Sequence, residues 1–301
     1  MKIQIPDELK ADLPQTKWGK MFSVTPIVMT VIATLLAGLA SSEMTRAQYD
    51  RALAAQQQSK AGDQWSFFQA KKLRGAMQRS TLDLLQSTTE LRPLDAAALP
   101  ATVSEPALLA LKKGELPALP PAPPMDAAVQ AAFEAIASSR PEHEISNLLV
   151  LVKNQNLDQA LQDARDQTLA FDAALQPISL AIAGLEKNLV KPTGSDSAAR
   201  SLVRDFTAAR LRYTAAHYDA EARLNQRVAH LLELQVRKSN RSAERHHARS
   251  GRFFFGMLAA QMGVVISTLA MAARQKNLLW SLAATAGLAA ISFALYVFLY
   301  V

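Results

Sequence analysis

The sequence predicts an all-α membrane protein: three transmembrane helices, with a long helical and coiled-coil soluble region between the first and the second. Three observations predict it. The charge-free apolar runs 22–41, 253–273 and 278–301 each meet the about 20 residues that a ~30 Å hydrocarbon core requires. Between the first and second runs, apolar residues recur at spacings of three and four over long stretches, the period of helices that bury one side. The composition is rich in Ala, Leu, Gln, Glu and Arg, with 11 Gly and 6% aromatic residues, which is the usage of long helices.

The N-terminal tail, 1–21, carries Asp7, Glu8 and Asp12. That mixed charge, and the length of the run at 22–41, favour an anchor over a cleaved signal peptide. Residues 42–92 read as a helical stalk, since Glu43–Leu91 contains no proline. Residues 93–124 hold eight prolines and read as a linker, and the run from Leu116 to Pro124 should be extended polyproline II.

Residues 125–252 read as a coiled-coil helical region. Asp126–Ser138 is a short helix and Glu142–Val190 a long one, bent locally at Pro177. Within the long helix, Leu157, Leu161, Ala164, Thr168, Phe171, Leu175, Ile178, Ile182, Leu185 and Leu189 alternate spacings of four and three, a heptad seam. Lys191–Asp196 reads as a turn. A looser seam follows at Val203, Phe206, Tyr213, Ala216, Ala220, Leu224, Val228 and Leu231, on a helix that nothing breaks before Gly251. Arg274–Asn277 alone separates the last two apolar runs, so these form a tight hairpin, with Trp280, Tyr296 and Tyr300 placed as interfacial aromatics. The helices leaving and re-entering the membrane would each reach about 105–110 Å at 1.5 Å per residue.

Charge and motifs narrow the function. The chain has no Cys, which excludes disulfides and thiolate metal sites. No Gly-rich phosphate loop is present: Trp18-Gly19-Lys20 lacks the upstream Gly and the following Ser or Thr. His143, His217, His230, His246 and His247 form no His-Glu-x-x-His, and adjacent His246 and His247 point about 100° apart on a helix. Neither an enzyme active site nor a cofactor or metal site is expected. The net charge of +7 is concentrated in one place: 198–252 holds 12 Lys and Arg against 5 Asp and Glu, the whole excess.

Two stretches stand out as candidate sites. Trp65, Phe68, Gln69, Lys71 and Arg74 place aromatic rings beside a Gln and a basic cluster on one helix, a set suited to packing a partner helix and bonding its carboxylates. Lys238, Arg241, Arg245, Arg249 and Arg252 are spaced three, four, four and three on a helix entering the membrane. They form either a stop-transfer signal or a clamp for anionic lipid, each charge near an anionic leaflet contributing ~1 kcal/mol. Nucleic acid is not an expected partner, because the stripe abuts the bilayer and has no interleaved aromatics for stacking.

The Trp-x-x-x-Gln-Ala-Lys-x-x-Arg string (Trp65, Gln69, Ala70, Lys71, Arg74), shortly after a first span, resembles an uncharacterised bacterial membrane family, domain-of-unknown-function family 4337. Arg252-Phe-Phe-Phe-Gly256, the span ending in Arg274 and the following Leu278-Leu-Trp280 fit that resemblance. It implies the layout of one span, a variable helical region and a C-terminal two-span hairpin, in a bacterial inner membrane, and it brings no activity. The Pro-rich linker and the heptad seam fall outside it.

The expected function is a non-enzymatic, membrane-anchored helical scaffold. Its partners would be membrane lipids and either further copies of itself or another membrane protein. Small residues at spacing four, Ala259, Gly263 and Ser267 in one span and Ala286, Ala290 and Ala294 in the next, suit close helix packing. The alternative is a subunit of an oligomeric pore or transporter, motivated by Gln261, the one strongly polar residue in the spans. Within about 20 residues of the spans, the side of the helical region carries nine basic residues: Arg46, Arg51, Lys60, Arg237, Lys238, Arg241, Arg245, Arg249 and Arg252. The other side carries six: Lys2, Lys10, Lys17, Lys20, Arg274 and Lys276. The positive-inside rule therefore puts the helical region in the cytoplasm.

Overall fold

In a computed structural model, residues 17–95, 99, 104–117, 121, 123–189, 197–272 and 276–300 are described. Seven helices account for nearly all of them: α1 (Lys17–Thr88), α2 (Glu105–Lys113), α3 (Ala127–Ala137), α4 (Glu142–Leu151), α5 (Asn154–Leu189), α6 (Ser197–Ala272) and α7 (Lys276–Tyr300). No strand occurs among the described residues. The chain divides into two compact units, Met1–Leu53 with Ser239–Val301, and Ala54–Lys238.

The first unit is a bundle of three helices, contributed by α1, α6 and α7. Ala33, Leu36 and Ala40 of α1 share a core with Phe253 and Ala260 of α6 and Ala290 and Val297 of α7. Glycines set the spacing. A Cβ on Gly256 would stand 3.2 Å from the Ala290 carbonyl, one on Gly263 3.4 Å from the Ala283 carbonyl, and one on Gly287 would overlap Met29. The small residues Gly263, Ser267 and Ala290 are thus buried within one chain, whereas Gln261 faces outward.

The second unit is built on α1, α5 and α6. α1 buries Ala54, Ala61, Gly75 and Leu82, with Phe68 half-buried between them, all at intervals of seven. α6 answers with Ala208, Ala215, Ala222 and Ala229, also seven apart and all buried. Gly75 lies against the Ala215 carbonyl, and Leu82 packs with Ala208 and Leu211. Two helices with alanine on the facing stripe come close enough for short polar side chains at the flanks to reach across. A second side of α6 carries large residues: Phe206, Tyr213 and Leu224 share a core with Phe171, Leu175, Ile178, Ile182 and Leu185 of α5. Leu157, Leu161 and Ala164 of α5 join Val228, Leu231, Leu232 and Leu234 of α6 in another. The predicted seam is therefore buried, and it is consumed inside the chain.

Local chemistry explains the element ends. Asp126 caps α3 by accepting from Ala128 and Val129 N–H. On α5, Gln159 and Gln162 reach Asp163 and Asp166 four residues on, and the helix continues through Pro177.

Two expectations need correction. The predicted helix from Glu142 to Val190 is two helices: Val152 is extended, and α5 begins at Asn154. The carbonyl that this break frees accepts from Lys238 Nζ. The 93–124 linker contains α2, with Pro in its first turn, where no N–H is needed, and Gly114 ending it at φ 65°. α2 buries Ala107, Ala110 and Leu111 in the α5–α6 core, which Leu94 and Leu99 also join. Four described helices are long and apolar enough to cross a membrane, one more than the three expected spans: those at Ser23–Thr88, Asn154–Leu189, Ser197–Met271 and Asn277–Tyr300. The additional one is α5, whose outward Leu169 and Leu180 add to its buried seam. The 1–16 tail, the 191–196 turn and Arg274 and Gln275 of the Arg274–Asn277 loop lie outside the described residues, as do 118–120 and 122 of the polyproline run.

Candidate partner and lipid contact sites

The Trp65–Arg74 string sits on α1 in the second unit, and the helix splits it between two faces. Trp65, Phe68 and Lys71 turn inward and are half-buried; Gln69 and Arg74 are exposed. Trp65 Nε1 donates to Glu233 Oε1 of α6 at 2.8 Å. Its ring meets Phe68 and His230 edge-on, at centroid distances of 5.4 and 5.0 Å, and His230 meets Phe133 of α3 in the same way. His230 Nδ1 lies 3.7 Å from Glu233 Oε2, an electrostatic contact rather than a formed hydrogen bond. His230 first, then the Trp65 N–H, hold the Glu233 carboxyl below its ordinary range, against the opposing effect of burial.

One and a half turns on, Lys71 Nζ is 2.7 Å from Glu221 Oε2, and 5.4 Å above the Tyr218 ring. The other Glu221 oxygen is 3.6 Å from His217 Nε2. Burial pushes the His217 pKa down, opposed by Glu221. Asp172 of α5 is pushed up, chiefly by burial and then by the charge of Glu221. Arg79 pairs with Asp219, and Lys72 lies 3.8 Å from the same carboxylate. Near the end of α1, the Arg92 N–H donates to Asp205 Oδ1. Every acid on α6 in this unit thus meets a donor from α1, from the segment that follows it or from its own helix.

The outward face is different. Gln69 and Arg74 share it with Phe67, Leu73, Met77 and Leu84, all more than half exposed. Ala70, Leu73, Met77, Ser80 and Leu84 repeat the three–four spacing on this side.

The basic stripe is also divided. Lys238 belongs to the second unit, where its ammonium serves the Val152 carbonyl; burial lowers its pKa, countered by Asp158. The remaining four belong to the first unit. Arg249 Nη1 is 3.7 Å from Glu43 Oε1, and His246 Nδ1 is 2.5 Å from Glu43 Oε2. Ser250 Oγ donates to the Ala40 carbonyl. Arg241 and Arg245 are exposed. Arg252 lies over the Tyr296 ring at 4.5 Å.

Sequence reasoning missed the α6 residues that receive the string: Asp219, Glu221, His230 and Glu233. The available signal was their sign, since they include most of the few acids in a strongly basic helix. Among the described residues, no cluster of three or more His, Asp or Glu side chains could hold a metal ion.

No curated protein and no solved structure gives a significant match to the chain. Residues 18–110, which include the first apolar run and the Trp65–Arg74 string, match the family described as "Domain of unknown function (DUF4337)", the family that the sequence resembles.

Proposed function

We propose that this protein is a non-enzymatic, membrane-anchored helical scaffold of a bacterial inner membrane. It has three spans, at 22–41, 253–273 and 278–301, and holds its helical region in the cytoplasm. The observation that carries this reading is that α1 and α6 are single helices, each containing both an apolar span-length run and a member of the closely packed helical unit. The fourth apolar helix, α5, is assigned to the soluble region. Its seam is buried against α6 and α2, and Asp158, Asp163, Asp166 and Asp172 punctuate its surface.

The scaffold acts by self-association. The seam and the small-residue span faces are occupied within one chain, so they do not supply the contact. The support comes from the outward stripe of α1, whose heptad spacing lets a second copy of the same stripe pair with it, with Gln69 and Arg74 at its flank. Size analysis of the full chain in detergent, with crosslinking, tests this. A dimer or larger assembly that Leu73→Glu with Met77→Glu reduces to monomer supports it. A strictly monomeric particle refutes it, and recovery of a different membrane protein on the stripe replaces the second copy with that partner. A C-terminal phosphatase and green-fluorescent reporter pair tests the placement: fluorescence without phosphatase activity supports it, and the opposite result reverses it.

The pore reading keeps one specific support, the outward exposure of Gln261 on α6, which oligomerisation could turn toward a shared axis. Ion flux in reconstituted vesicles that responds to Gln261→Leu would favour it over the scaffold.

A further inference from the structure

Arg252 differs from the other members of the basic stripe. Its guanidinium is held over the Tyr296 ring at 4.5 Å, a cation–π geometry, yet its Nη1 is buried and has no hydrogen-bond partner. A buried guanidinium nitrogen without an acceptor is costly unless something supplies one. Beside it lies an open cavity of about 450 Å³, lined by Arg252 of α6 and by Ala289, Ser292, Phe293 and Tyr296 of α7. These four α7 positions are all exposed and lie on one side of the helix, a trough about 10 Å long at 1.5 Å per residue. The trough is closed along one edge: one turn beyond Arg252, Gly256 brings α6 against α7, where a Cβ would stand 3.2 Å from both the Ala290 carbonyl and the Phe293 Cβ.

An apolar trough on a span-length helix, with an unsatisfied cation at its end, fits a molecule that is anionic at one end and hydrocarbon along the rest. We infer that Arg252 and this trough form a binding site for one anionic phospholipid. The headgroup phosphate accepts from the Arg252 guanidinium, which lines the cavity, and an acyl chain lies along Tyr296, Phe293, Ser292 and Ala289. Arginine suits the role because charge-assisted bonds from guanidinium to phosphate are among the stronger hydrogen bonds in proteins. The Tyr296 ring helps to hold the guanidinium in place. The rest of the stripe is placed differently: Lys238 serves the Val152 carbonyl, Arg249 faces Glu43, and Arg241 and Arg245 stand exposed on the helix surface. The lipid contact is therefore a single built site rather than five equivalent charges. This inference rests on the membrane-anchored reading.

The test uses the full chain, purified in detergent and titrated with phosphatidylglycerol or phosphatidylcholine, with bound lipid counted by native mass spectrometry. One phosphatidylglycerol per chain is expected, in preference to phosphatidylcholine and not displaced by inorganic phosphate. Arg252→Gln should lower its retention about fivefold. Ala289→Trp, which fills the trough and leaves the charge in place, should do the same, while Arg245→Gln should leave retention unchanged. Equal retention of both lipids overturns the inference, as does displacement by inorganic phosphate. So does a loss in Arg245→Gln as large as that in Arg252→Gln. If Arg252→Gln is not recovered folded, the Ala289→Trp variant decides, and undiminished retention there refutes the site. Release of the wild-type chain from membranes by alkaline extraction would instead refute the membrane reading itself.

Discussion

Replacing Lys71 with methionine removes the cation that joins α1 to α6 at mid-length of the second unit. The Lys71 Nζ to Glu221 Oε2 distance is 2.7 Å, and the two side chains are 24% and 15% exposed. Exposed ion pairs contribute about 0–1 kcal/mol, and breaking a fully buried pair costs about 3–5 kcal/mol. A pair this sheltered but still wetted belongs between the two, at about 2 kcal/mol. The cost arises mainly from Glu221, left among Asp172 and Tyr218 with only His217 near its second oxygen. For a unit of this size, that corresponds to a melting temperature lower by about 4–8 °C. The assay is thermal unfolding of the full chain in detergent, followed by the helical circular dichroism signal. Lys71→Met with Glu221→Met removes both charges, so the double variant should be at least about 1 kcal/mol more stable than the sum of the single effects implies. A single variant within about 0.5 kcal/mol of the parent, or strictly additive effects, refutes the reasoning.

Three further outcomes follow from the same helix pair. Trp65→Phe keeps the ring against Phe68 and His230 but takes the N–H from the Glu233 carboxylate, so denaturant unfolding should show a loss of about 1.5–3 kcal/mol, the range for a hydrogen bond to a charged group. Gly75→Ala and Gly75→Leu should move stability in opposite directions. A Cβ there meets Asp219 and Tyr218 at ordinary distances of 3.4–3.5 Å and gains up to about 1 kcal/mol of helix propensity, while the longer leucine is expected to cost about 1–3 kcal/mol by overpacking. Burial lowers the His217 pKa in the folded chain, so the unfolded chain takes up its proton first. Stability should therefore fall as pH drops through about 6.5, the unfolded value, and His217→Phe should flatten that part of the melting-temperature profile.

Much of the helical framework was legible because it rests on strong local signals. The three apolar runs exceed any core helix in length without charge. Asp126 is a capping residue, and the seam from Leu157 to Leu185 stands out because large apolar residues alternate with Gln, Asp and Arg. The α1–α6 pairing left no such contrast. Its buried stripe is alanine and glycine, flanked by Gln57, Gln64 and Lys71, so apolar periodicity is nearly absent although the interval of seven is regular. The short helix α2 was hidden by the prolines around it, although Pro106 in a first turn and Gly114 at the end are helix punctuation. The break at Val152 carries no Gly or Pro; a tertiary contact from Lys238 stabilises it, and no local rule could find that. The string at Trp65 was legible as a packing motif, but its partner was not, because the acids that receive it lie about 150 residues away or more.

The central claim is that the inward side of this string is spent on the returning helix of the same chain, leaving the outward side for a partner. The absence of native cysteine makes one measurement direct. A Cβ on Gly75 would lie 3.5 Å from the Tyr218 Cβ, within the about 3.5–4.5 Å that a disulfide spans. The doubly substituted chain, Gly75→Cys with Tyr218→Cys, is oxidised in its membrane and run on a denaturing gel with and without reductant. The account predicts a monomer-sized band that migrates faster until it is reduced. A dimer-sized band as the main oxidised product, or two thiols that remain free to alkylation, would contradict it.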